Sequence, residues 1–375
     1  MSTTLDIAAL TREKQIIVCC GSGGVGKTTS AAALGVLAAQ QGRRALVMTI
    51  DPAHRLAQAM GLDGLNNDPQ QVSLDAPGSL HAMMLDSKRT FDRLVESYAE
   101  DERTRDTIFA NSYYQQMSSS LGGSRELIAM ERVFEVANSD EYDILIVDTP
   151  PAQHALDFLD APKRMIDLLD GTLTGLLVKP YGLAAKVQFD FFRQSSAATL
   201  KFLERLTGFE ILTDLSDFMM AFSGMFEGFK ERSHKVMELM RGPSTSFVLV
   251  CAPEPGSLNQ ADQFAARLMK ESISIAGVLV NRVHLPLPAD DDLSDVDLKE
   301  ELTPIGLIAD HQVNGLALLE RVIGAYAAQR ASIKSDWAVL SELRASGLPN
   351  HQVPHFNRDL HSMEDLEAFA AALDP

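Results

Sequence analysis

Residues 15–29 read Gln15-Ile16-Ile17-Val18-Cys19-Cys20-Gly21-Ser22-Gly23-Gly24-Val25-Gly26-Lys27-Thr28-Thr29, and this stretch decides the fold. The apolar, β-branched run Ile16 to Cys20 has the composition of a buried strand. It empties into four glycines, where the backbone needs conformations closed to residues with a Cβ. An Ala/Leu-rich helix is predicted from Ser30 to Gln41. Strand, loop and helix together match G-x-x-x-x-G-K-[ST], the signature of a phosphate-binding loop. In such a loop successive backbone N–H groups and the positive end of the helix dipole face one anion. Gly21 to Thr29 are therefore the predicted cradle. Lys27 is placed for the β- and γ-phosphates, and the Thr28 hydroxyl for Mg²⁺. A glycine-rich turn that binds nothing is the competing reading, and the flanking strand and helix argue against it.

Working outward, Arg44 to Ile50 reads as a second buried strand and delivers Asp51-Pro52-Ala53-His54. A loop is expected around Asn66 to Gly78, a strand at Leu80 to Leu85, and helices at Arg89 to Glu100 and Ser124 to Ala137. Tyr142 to Val147 is a third core strand, opening into Asp148-Thr149-Pro150-Pro151-Ala152-Gln153-His154. From about 162 to 242 the pattern is helical only. Strand signals resume at Ser246 to Cys251 and Ile273 to Val280, with a helix at Leu258 to Glu271 between them. An acidic loop at Pro286 to Glu301, a helix at Gly315 to Leu343, a strand at Gln352 to Phe356 and a helix at Met363 to Leu373 complete the chain. Strands alternating with helices imply an α/β fold with a doubly wound, mostly parallel sheet. One domain is expected, with its core in 1–161 and 243–375. An all-helical insertion is expected at about 162–242, with the helices of about 88–138 packing beside it. The loop motif does not recur, so one nucleotide site is expected.

Parallel sheets bind ligands at the carboxyl ends of their strands, and three features converge there. Beside Lys27 and Thr28 stands Asp148, in the Walker B position for orienting a Mg²⁺ shell. Asp51 is placed to orient or deprotonate an attacking water and to join the metal's surroundings. It also fits a plain helix N-cap, since Asp51-Pro52 suits Ncap-N1, and both roles can coexist.

Composition bounds the partners. At 375 residues, 46% hydrophobic and 22% charged, the chain is an ordinary globular protein able to bury a large core. A formal net charge of −18 offers no basic stripe for nucleic acid or anionic lipid. No signal peptide or membrane span is read. Three cysteines make no disulfide framework and point to a reducing cytoplasm; Cys19 and Cys20 read as small strand residues.

Taken together these motifs resemble the ArsA family of deviant Walker A ATPases. That family includes the arsenite-pump ATPase and the targeting ATPase for tail-anchored membrane proteins. Gly21 to Thr29 match its GKGGVGKTT loop apart from Ser22; Asp51 to His54 match its DPAH; Asp148 to His154 match its second switch loosely. Val250 to Phe264, Val280 to Val283 and the stretch VPHFNRDLHSMEDLEAF extend the likeness over nearly the whole chain, most like one member of the paired actinobacterial ArsA-like ATPases. The resemblance implies a SIMIBI-type P-loop fold and a Mg²⁺-dependent ATPase whose two subunits close on ATP. It assigns Asn281 to reading adenine, and Pro354, His355 and Phe356 to the loop beside the base. Where the family carries a lysine that crosses the dimer, this chain has Ser22. A homodimer lacking both lysines should hydrolyse slowly, so a mixed dimer with a lysine-bearing paralogue is favoured, and a regulatory ATP-binding subunit is the alternative. Residues 302–318 hold no cysteine, so the zinc clasp of the targeting enzymes is not expected, nor is a metalloid site. The insertion is rich in Phe and Met, including Met219, Met220, Phe222, Met225 and Phe226. These residues suit either packed core, the favoured reading, or a groove for a hydrophobic client or membrane-protein partner.

Overall fold

The structure is a computed structural model and describes residues 4–51, 55–99, 101–111, 114–115, 124–150, 226–286 and 315–374. The chain enters through helix α1 (Ile7–Glu13), whose N-cap Asp6 accepts from the Ala9 N–H at 2.8 Å. Strand β1 (Ile16–Gly21) then leads to helix α2 (Lys27–Gln40), strand β2 (Arg44–Thr49) and the short helix α3 (Arg55–Ala59). Strands β3 (Gln70–Val72) and β4 (Ser79–Met84) precede helices α4 (Ser87–Tyr98), α5 (Glu102–Ala110) and α6 (Ser124–Ala137) and strand β5 (Ile144–Asp148). Helix α7 (Phe226–Arg241), strand β6 (Thr245–Cys251), helix α8 (Pro255–Lys270) and strand β7 (Ile275–Val283) follow. The described chain closes with helix α9 (Gly315–Ser346), strand β8 (Asn350–Pro354) and helix α10 (Met363–Leu373).

The eight strands form one sheet in the order β3-β4-β2-β5-β1-β6-β7-β8. Every neighbouring pair is parallel except β3–β4. This confirms the doubly wound α/β reading. Successive side chains of a strand face opposite sides, so burial on both faces demands unbroken apolar runs. In β1, Ile17 and Cys19 join α1, α2, α3 and α10 on one face, whereas Ile16, Val18 and Cys20 join α4, α6, α7, α8 and α9 on the other. The chain runs outward in both directions from β1, which places a topological switch point at its carboxyl end. Among the described residues no helix is long and apolar enough to cross a membrane.

Several boundaries differ from the sequence reading. Helix α2 begins at Lys27 rather than Ser30, because Gly26 takes a left-handed φ of 95° and the helical ladder opens behind it with Ser30 N–H donating to Gly26 O at 2.9 Å. The expected loop at 66–78 contains β3, a three-residue antiparallel edge held by β4. Helices α1 and α5 were not anticipated. Strand β7 runs on to Val283, so Asn281 lies inside it, and β8 stops at Pro354, leaving His355 and Phe356 beyond it. Pro52 to His54, Pro151 to His154, the acidic loop beyond residue 286 and the insertion before Phe226 lie outside the described residues. So do Met219, Met220, Phe222 and Met225, whereas Phe226 opens α7.

Candidate functional site

Register brings the site together. Cys19 of β1 and Thr49 of β2 both stand level with Asp148, the last residue of β5 between them. The loop above β1 is shaped by close approach. A Cβ on Gly21 would collide with the Val250 carbonyl of β6, and one on Gly26 would collide with the Asn281 amide of β7. Only glycine fits either place. Asn281 in turn donates from Nδ2 to Val25 O at 2.9 Å, which ties the loop to β7, while its Oδ1 accepts the Arg282 N–H at 2.9 Å. Arg282 adopts a left-handed φ of 64°, an uncommon conformation outside glycine.

Lys27, 7% exposed, donates from Nζ to Ser22 O at 2.8 Å. An ammonium has three N–H donors, so two remain to face the cleft. Burial lowers its pKa, against the opposing pull of Asp148, Cys20 and Asp51, and the nearby Arg55 lowers it further. Thr28 Oγ1 donates to Asp148 Oδ2 at 2.8 Å, and Thr49 Oγ1 donates to the same oxygen at 2.9 Å. Thr49 Oγ1 also accepts the Asp51 N–H at 3.2 Å. The other carboxylate oxygen, Asp148 Oδ1, is buried with no hydrogen-bond partner among the described residues. That orphan acceptor, beside a threonine hydroxyl at the head of α2, is the donor set a hydrated Mg²⁺ fits.

Asp148 is fully buried, and its carboxyl is pushed from the ordinary 3.8 up to about 6. Desolvation is the largest cause; the Thr28 and Thr49 hydroxyls and Lys27 oppose it, and Asp51 adds to it. The folded chain therefore binds more protons than the unfolded chain between these two values. This contribution to stability is greatest at the acid end and is lost as pH rises toward 6 and beyond. Two units correspond to about 3 kcal/mol. In chelator, the stability of Asp148→Asn relative to wild type is expected to rise by up to about 3 kcal/mol between pH 4 and pH 7. Denaturant melts across that range check it, and a difference independent of pH would contradict it.

A cleft of about 800 Å³ opens over these groups. Of the residues expected from sequence, Gly23, Gly24, Gly26, Lys27, Thr28, Thr29, Asp51, Asn281, His355 and Phe356 line it. Gly21, Ser22, Val25, Asp148 and Pro354 are absent from the lining. Thr49 escaped the sequence reading, although its place two residues before Asp51 at a strand end was a usable signal. Arg55, Thr149, Arg282 and Arg358 line the cleft and were likewise not foreseen. On a chain of net charge −18, four fixed cations among the described residues, Lys27, Arg55, Arg282 and Arg358, line it against Asp51 and Asp359. Such a concave, cation-lined opening focuses a polyanion.

A glycine loop at a helix head, a buried Walker-type aspartate on the neighbouring strand and a cationic cleft at the switch point define a P-loop nucleotide-binding protein. The profile of a family described as anion-transporting ATPase, ArsA_ATPase, matches residues 14–302. The chain belongs to this family and is an ATPase. It is 26% identical over 311 residues to an ATPase ASNA1 homolog of Cryptosporidium parvum (strain Iowa II), covering 82% of this chain and 76% of that protein. It is 27% identical over 320 residues to ATPase GET3B of Arabidopsis thaliana, covering 80% and 72%. An ATPase ASNA1 homolog of Plasmodium chabaudi chabaudi is 27% identical over 275 residues, which span 72% of this chain and 63% of that protein.

Proposed function

We propose that the chain binds Mg·ATP in this cleft, hydrolyses it with Asp51 acting on the water, and uses the nucleotide state to open and close a dimer. The observation that carries this reading is the Thr28–Asp148 pair with its orphan carboxylate oxygen. Thr28 and Asp148 would hold the metal's inner and outer surroundings, with Asp51 close by. When bound, Mg²⁺ neutralises charge on the β- and γ-phosphate oxygens. Lys27 presents its two remaining donors to the same oxygens, and the N–H groups of the loop and the first turn of α2 supply the rest. Asn281, His355 and Phe356 form the side of the cleft suited to the base.

Ser22 favours a mixed dimer, because a serine cannot carry charge across a subunit interface to a partner's phosphates. A lysine-bearing paralogue would then serve the site on this chain, and the regulatory-subunit reading holds if only the paralogue turns ATP over. The setting proposed is a reducing cytoplasm, where the three buried thiols stay free. Calorimetric titration with Mg·ATP, followed by native mass analysis with and without the paralogue, tests the scheme. Binding is expected to weaken when chelator removes Mg²⁺, and a heterodimer is expected to form. A fully active homodimer would overturn the mixed assembly, and absence of Mg·ATP binding would overturn the site.

Handling of a hydrophobic client is the further part of this proposal, supported by the Met- and Phe-rich sequence around 219–226. Fluorescence of a dye that binds apolar surface is expected to rise with a non-hydrolysable ATP analogue. Equal fluorescence with and without the analogue would count against a nucleotide-gated groove.

A further inference from the structure

Helix α9 reaches the cleft through a chain of contacts that the ATPase reading does not require. Asp336 on α9 is 5% exposed, so its carboxylate needs full compensation. Its Oδ2 finds partners in one residue just beyond β7. Asp336 Oδ2 accepts the His284 backbone N–H at 2.8 Å and pairs with His284 Nδ1 at 2.9 Å. A carboxylate can only accept, so Nδ1 carries the proton and the imidazole is fixed in both tautomer and plane. The ring of His355 lies parallel to it, with centroids 4.7 Å apart and planes inclined by 13°. His355 is itself pinned by its backbone N–H donating to Val283 O at 2.8 Å, and it lines the cleft next to Phe356. Phe356 stacks on Phe369 of α10 at 5.8 Å.

The sheet fixes which part of the cleft this is. β8 stands three strands from β1, so with about 4.8 Å per strand its end lies roughly 14 Å from the end of β1, where the glycine loop begins. That separation puts His355 and Phe356 beyond the phosphates, on the side left for sugar and base.

We infer that Asp336 and His284 are a positioning pair that sets the His355 ring as one wall of a purine subsite. This inference rests on the nucleotide reading above and adds to it residues that touch no nucleotide themselves. Asp336 holds His284, His284 supports His355, and His355 meets the base. Loss of the pair frees the His284 ring and removes the flat surface against which His355 is set. The effect falls on affinity for the base and leaves the phosphate end untouched.

The test uses the full chain in its active assembly, with Asp336→Ala, the milder Asp336→Asn, and His284→Phe, which keeps a flat ring but loses the pairing with Asp336. ATP turnover gives KM and kcat, and inorganic tripolyphosphate, which has phosphates but no base, serves as competitor. Asp336→Ala is expected to raise KM for ATP about 2- to 10-fold, the range of one aromatic stack, with kcat within about twofold. Inhibition by tripolyphosphate is expected to be unchanged, Asp336→Asn to fall between wild type and Asp336→Ala, and His284→Phe to recover part of the loss. An unchanged KM in Asp336→Ala, or tripolyphosphate inhibition weakening in step with KM, overturns the inference. Wild type that neither turns over ATP nor responds to tripolyphosphate overturns the parent reading instead.

Discussion

Asp51→Asn is expected to lower kcat by about two to four powers of ten, the range for loss of a positioned general base, while KM for ATP changes little. Asparagine matches aspartate in size and shape but cannot take a proton from water. One contact of the residue, its backbone N–H to Thr49 Oγ1, is untouched by a side-chain change. Steady-state turnover in whichever assembly hydrolyses ATP decides the matter. A variant that turns over at the wild-type rate would remove Asp51 from the chemistry and leave it a residue that shapes the start of α3.

Lys27→Ala is expected to be more damaging, because it removes charge at both binding and turnover. Loss of a positioned cation at a phosphoryl transition state costs about three to five powers of ten. The Lys27 ammonium lies 7% exposed at the head of α2 with part of its hydration gone, as the lowering of its pKa by burial reports. Its removal relieves that desolvation, so the variant is expected to fold with near wild-type stability and yet fail at the cleft. Calorimetry with Mg·ATP and turnover measured on one sample separate the two effects. Normal stability with normal turnover would show that the loop amides suffice without the ammonium.

Legibility in the sequence followed the range of the forces involved. The glycine loop and its flanking strand and helix were readable because each is determined within about fifteen consecutive residues. Asp148 was placed correctly at a strand end because an apolar run announces its own termination. The bond from Asn281 to Val25 was not readable, since it joins residues 256 positions apart through the packing of β7 near β1. Strand β3 went unseen for a related reason: Gln70–Val72 has no apolar alternation, and its pairing with β4 alone makes it a strand. The left-handed Arg282 has no local signal either, because side chains of its type seldom adopt that conformation.

One oxygen at the end of β2 has a wider consequence. A hydroxyl owns a single proton, and at Thr49 it points to Asp148, so the contact with Asp51 uses the lone pair and the two bonds run in one direction. Under the proposed Mg²⁺ binding, a carboxylate turning toward the ion would oblige Thr49 to follow it or let go, and either response would shift the bond that holds Asp51. The metal and water roles proposed for Asp148 and Asp51 would thus be linked mechanically through one side chain.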